Sequence, residues 1–178
     1  MKMIISIVLL GLMVSSAVAD DKGIANEKTK TAKAHREAAA SASKPEDRKK
    51  ELNDAIKDWE AAYAAAKKFD LVGAEAIKEE EATEYRSLNE DNKAAGIEEE
   101  TAKALEKIAD GMKTTDPKRA QELLNRAAQK WTQAAADRNK AGKAADATND
   151  TNKATAATKA ANDLGASVTA ATPTSGHP

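Results

Sequence analysis

From Leu52 the apolar positions Leu52, Ile56, Trp59, Tyr63 and Ala66 recur at alternating steps of four and three. Side chains at that spacing return to one helix face, so the pattern predicts an amphipathic helix with a coiled-coil-like stripe. Ser43-Lys44-Pro45-Glu46-Asp47 places its start, because proline loses nothing in a first turn and the helix dipole favours acids there. Phe69-Asp70 interrupts the stripe, with Asp70 as the cap of a second helix carrying Ile77, Tyr85 and Leu88. Asn92 to Gly96 reads as a stop, since glycine often sits just past a helix end. Ile97, Leu105, Ile108 and Met112 make a third stripe. Thr115-Asp116-Pro117 is the sharpest boundary, with aspartate as N-cap and proline at the first helical position. Leu123, Leu124, Ala127, Ala128 and Trp131 then mark a fourth helix running towards Gly142. The period-two alternation of strands is absent. The predicted fold is all-α: antiparallel helical hairpins forming a bundle or coiled coil.

Composition divides the chain further. Alanine supplies 41 of the 178 residues, so the 41% apolar content overstates what a core can use. Most of the larger apolar side chains after residue 19 lie between Leu52 and Trp131, which predicts a helical domain over residues 46–140. Residues 20–45 are polar and rich in Ala, Lys and Thr. Residues 141–178 alternate Ala, Thr, Asn, Asp and Lys without a wide apolar face, which predicts a low-complexity, partly disordered tail. On this reading both flanks are dispensable, and a 46–140 fragment melts like the longer chain.

Two stretches match at an offset of 46 residues: Asp70 with Asp116, Ala74 with Ala120, Ile77 with Leu123, Ala82 with Ala128 and Tyr85 with Trp131. Each copy reads as a helix, a turn at an aspartate, and a second helix ending in an aromatic. The segments Trp59-Glu60-Ala61-Ala62-Tyr63, Phe69 to Ile77 and Asp116 to Ala127 resemble tetratricopeptide-type helical repeats over about residues 52–131. The resemblance implies two stacked helical hairpins. The chain departs from that family in its period, which is about 34 residues in such repeats, and in showing two copies where arrays usually need three or more.

The first 19 residues change the picture of location. Lys2, the apolar run Ile4 to Val14 and Ala17-Val18-Ala19 have the form of a secretory signal peptide cleaved after Ala19. The expectation is an exported protein, periplasmic or extracellular, with no transmembrane segment in the mature chain. With no cysteine in the sequence, packing alone must hold it together. Its 28 basic and 29 acidic residues are interspersed, unlike the basic footprint of a nucleic-acid binder.

Candidate chemistry is sparse. His35 and His177 lie in the flanks without metal-ligand spacing, so neither is expected to bind a metal or serve a triad. Glu79-Glu80-Glu81 and Glu98-Glu99-Glu100 fan out around a helix instead of converging on a cation, and read as solvated surface. Asn149-Asp150-Thr151 fits a glycosylation sequon. Trp59, Tyr63, Tyr85 and Trp131 are the candidate partner-binding or core face, since aromatics are common interface anchors and are also nearly all the bulk available for a core. The expected function is non-enzymatic, without cofactor: a protein-interaction or structural module whose apolar helix faces meet a protein partner or a second copy. The alternative is a stress-protective, conditionally folded chain, suggested by the Ala/Lys/Thr-rich flanks.

Overall fold

The computed structural model describes residues 3–170, with side chains from 18 to 167. His177, the final dozen residues as a disordered end, and most of the signal-like segment therefore lie outside the described side chains. Six helices follow one another: α1 (Met3–Ser41), α2 (Pro45–Ala66), α3 (Ala74–Ser87), α4 (Asp91–Met112), α5 (Pro117–Lys140) and α6 (Ala144–Ala170). The chain is all-α over the described residues, and none of these helices is long and apolar enough to cross a membrane. It divides into two compact units, residues 1–89 and 90–178.

Local chemistry sets the boundaries. Asp116 caps α5 by accepting the Arg119 backbone N–H at 3.0 Å, with Pro117 following it in the first turn. Asp70 acts one turn before α3: its carboxylate accepts the Gly73 N–H at 2.7 Å, and α3 itself begins at Ala74. A Cβ at Gly73 would meet that carboxylate, so a larger residue there would displace the Asp70 side chain from the turn. The stop expected at Asn92–Gly96 is not used, because α4 runs through both residues. The break falls at Asn89, whose φ of 58° is a left-handed geometry that asparagine tolerates better than most side chains. At the end of α5, Gly142 (φ 72°) donates to the Asn139 carbonyl and Lys143 to that of Arg138, a Schellman arrangement.

In the first unit α2 packs between α1 and α3; in the second, α5 packs between α4 and α6. Asp21–Lys68, Lys28–Asp58 and His35–Glu51 step up α1 as they step back along α2, so the two helices are antiparallel. The 46-residue offset carries the bounds of α2 onto those of α4, and Ala74 at the head of α3 onto Ala120 in α5. Each unit is thus one hairpin of the offset pair plus a helix from outside it: α1 before the first, α6 after the second.

Those outer helices correct the expected domain organisation. Residues 144–170, expected to be partly disordered, form α6 and bury Ala147, Ala154, Ala157 and Ala161. Ala154 and Ala157 join Ala102, Ala128 and Trp131 in one cluster. On the other flank α1 buries Ala25, Ala32 and Ala39, with Ala32 against Ala55, Trp59 and Ile77. The reason is size. A stripe of methyl groups at heptad spacing carries little hydrophobic signal, yet it lets helix axes approach closely and seat on a neighbour's larger side chains. Among the described residues the buried apolar side chains are alanines apart from Leu52, Ile56, Trp59, Leu105, Leu123, Leu124 and Trp131.

Candidate functional site

The heart of each unit is a tryptophan wrapped in charge. Trp59 on α2 is 1% exposed, and its indole N–H donates to Glu84 of α3 at 3.2 Å. Arg36 of α1 lies over the ring, 5.5 Å from its centroid, and pairs with Glu84 at 2.5 Å and Glu80 at 2.7 Å. In the second unit Trp131 on α5, also 1% exposed, donates to Glu106 of α4 at 2.8 Å. Lys153 of α6 sits 4.2 Å from its ring centroid. In both units the carboxylate satisfies a donor that burial would otherwise strand, and a cation from the outer helix faces the electron-rich ring.

Charge pairs reach deep around these clusters. Glu98 of α4 and Lys130 of α5, 1% and 5% exposed, meet at 3.3 Å. Arg138 of α5 joins Glu99 of α4 at 2.6 Å to the buried Asp150 of α6 at 2.8 Å. Burial disfavours the Arg138 cation, but the hydrogen bonds and charges of Asp150 and Glu99 outweigh it and raise its pKa. The two acidic runs are therefore not simply solvated surface: Glu81, beside Lys78 at 2.9 Å, and Glu98 are both buried. Three consecutive helical carboxylates fan out around the helix, so a helix packed along one side turns one of them towards its neighbour.

The four aromatics divide between the two units, three in the first and Trp131 in the second. Trp59 and Trp131 lie at the centres of different units. Tyr63 is part-buried beside Ala65, Ala66 and Ala74, with Lys78 4.6 Å from its ring centroid, and Tyr85 is part-buried on α3. His35 is engaged between helices, its Nδ1 2.7 Å from Glu51 and its Nε2 3.8 Å from Asp58. Asn149 is exposed, but its sequon lies within α6, with Asp150 buried against Arg138 and the Thr151 hydroxyl donating to the Ala147 carbonyl.

A depression of about 570 Å³ lies along α5 and α6, lined by Thr132, Thr151, Thr155, Thr158 and Lys159 among others. Each of those threonines spends its hydroxyl proton on a carbonyl one turn back, and Lys159 pairs with Asp163 at 2.6 Å. Large apolar side chains are exposed elsewhere. Val18, Ile24, Phe69 and Leu71 all belong to the first unit. Ile24 is one turn from Asp21, and Phe69 is next to Lys68, the partner of Asp21 at 2.7 Å. The end where α1 meets the α2–α3 turn therefore presents apolar groups around an ion pair. Sequence reasoning singled out the aromatics but not this end, since Ile24 stood in a flank and Leu71 in a turn.

No family model matches the chain, and no curated protein matches it. Among solved structures it is similar to "Crystal structure of BtubC (BKLC) from P. vanneervenii" at 17% identity, over 85% of this chain and 78% of that one, with a TM-score of 0.24. A likeness that slight bears on neither fold nor function.

Proposed function

We propose that this chain is an exported, non-enzymatic helical module that works by non-covalent contact with protein. The observation carrying this reading is how its chemistry is distributed. The inward-facing charges and tryptophans are spent on holding helices together, while Ile24, Phe69 and Leu71 stand exposed around the Asp21–Lys68 pair. In this reading the hairpins α2–α3 and α4–α5 are a stretched repeat of tetratricopeptide type. Their shared 46-residue register and the aspartate at each turn support that view.

Export is part of the same proposal. Removal of the signal-like segment after Ala19 puts Asp20 and Asp21 at the head of α1, where the helix dipole favours acids. Mass spectrometry of the exported protein should find a chain beginning at Asp20. A photo-crosslinker at Phe69 should capture one reproducible protein in living cells, and Leu71→Ser should weaken that capture. Crosslinks from position 69 matching those from an exposed control at Lys107 would end the interaction reading.

A further inference from the structure

At the end of the first unit away from Phe69, the three helices leave a gap. Two small clefts, of about 180 and 210 Å³, meet there and share Arg48 and Leu52 of α2 and Ser87 of α3. Ala39 and Ala40 of α1 and Thr83 of α3 wall the first of them. Arg48 stands in the first turn of α2 and Phe69 beyond its last, so about 30 Å of helix separates this gap from the exposed apolar end.

The lining divides its chemistry. Leu52 and Ala39, 4% and 2% exposed, give an apolar floor. Arg36 and Glu84 also border the first cleft, but both are spent: they pair with one another, and Glu84 takes the Trp59 N–H as well. The Ser87 hydroxyl donates to the Thr83 carbonyl, and the Thr83 hydroxyl to that of Glu79. With those protons committed, the two oxygens remain as acceptors. Arg48 is different. Arg36, Arg86, Arg119, Arg126 and Arg138 are each engaged, whereas the exposed guanidinium of Arg48 makes no hydrogen bond or ion pair among the described residues. A cation with nothing to hold, acceptor oxygens and a buried apolar floor complement a ligand that joins a carboxylate, an N–H and a short apolar chain. Both clefts fall below the about 300–1,000 Å³ of sites for drug-sized molecules, so that ligand is small.

We propose that this gap binds an aliphatic amino acid, free or as the last residue of a peptide. Its carboxylate takes the fork of Arg48, its N–H the hydroxyl oxygen of Ser87 or Thr83, and its side chain the floor at Leu52. The site shares no residue with the Phe69 end, so it stands or falls apart from the protein contact proposed there.

The test is an NMR titration of the chain as recovered from cells, with leucine as the free amino acid and acetyl-alanyl-leucine as the chain end. At least one of them should move the Arg48 side-chain signal and the Ala40 and Ser87 amides saturably below about 10 mM. Leucine alone doing so identifies a free amino acid, and the peptide alone a chain end. The amide of whichever ligand binds, which lacks the carboxylate, should be about tenfold weaker, and 4-methylpentanoate, which lacks the N–H, about fivefold weaker. Arg48→Gln should also lose about tenfold, and Arg48→Lys less. Neither variant should shift the melting curve, because Arg48 holds nothing in the fold. Ala40→Trp, at the exposed edge of the first cleft, should abolish the signal changes. Saturable changes from neither ligand, an amide that binds as well as its acid, or an Arg48→Gln variant that binds like the unaltered chain overturns the proposal.

Discussion

A buried indole has one donor to satisfy, and both tryptophans here satisfy it with a glutamate from a neighbouring helix. Other carboxylates reach the interior beside these, Glu98 of α4 among them, and there a counter-charge such as Lys130 becomes indispensable. Removing one member of a buried pair strands the other, which costs about 3–5 kcal/mol, whereas replacing both with apolar groups is often nearly neutral. Lys130→Met should therefore destabilise the second unit by about 3–5 kcal/mol, and Glu98→Leu added to it should recover most of the loss. Urea denaturation followed by Trp131 fluorescence reads both. At this scale the sequence was half legible. Trp59 and Trp131 stand out as rare bulky residues in a small-residue chain. The inward members of the two acidic runs do not, because nothing local distinguishes Glu98 from Glu100 until α5 brings Lys130 to it.

Helix boundaries were easiest to read where a side chain acts locally. Asp116-Pro117 caps and opens α5 as its chemistry dictates, and Asp116→Ala should cost about 0.5–2 kcal/mol in thermal or urea unfolding. Gly96 misled because glycine inside a helix weakens it without ending it. The flanking helices were illegible for another reason. Ala147, Ala154 and Ala161 gain meaning only from the neighbours they seat against. Such positions have no room to grow: Ala154→Leu beside Trp131 should cost about 1–3 kcal/mol through overpacking, read by the same denaturation curves. Between helices, acid is the natural solvent of the charge pairs. Burial raises the pKa of Asp58, but its hydrogen bonds from Lys28 and Thr31 and the Lys28 charge more than offset this and leave it below the ordinary value. Glu99 is lowered by its bond to Lys103, against burial and with help from Arg138. A depressed carboxylate adds stability that is complete above its unfolded pKa of about 4 and is lost as pH falls through the lower folded value. Both units should thus keep this contribution at pH 6 and lose it progressively below about pH 4, as a pH series of melting curves would show.

For the whole molecule the divide at residues 89 and 90 matters more than the wealth of apolar residues at mid-chain. A fragment of residues 46–140 keeps both hairpins but strips α1 from Trp59 and α6 from Trp131. It should melt well below the full chain, whereas residues 90–178 should unfold cooperatively on their own, as calorimetry can determine. The mid-chain expectation went astray by weighing hydrophobic mass, when the two outer helices contribute fit and charge. Within each unit the helices that pack are neighbours in the chain, α1 on α2 and α2 on α3, then α4 on α5 and α5 on α6. That succession has a kinetic meaning. Contacts so local in sequence demand little loop closure, which places each unit with helical domains that fold in microseconds to milliseconds. A chain emerging N-terminus first can complete residues 1–89 before the last of α6 has appeared. The order of appearance, more than any search among distant partners, then decides which helices find each other.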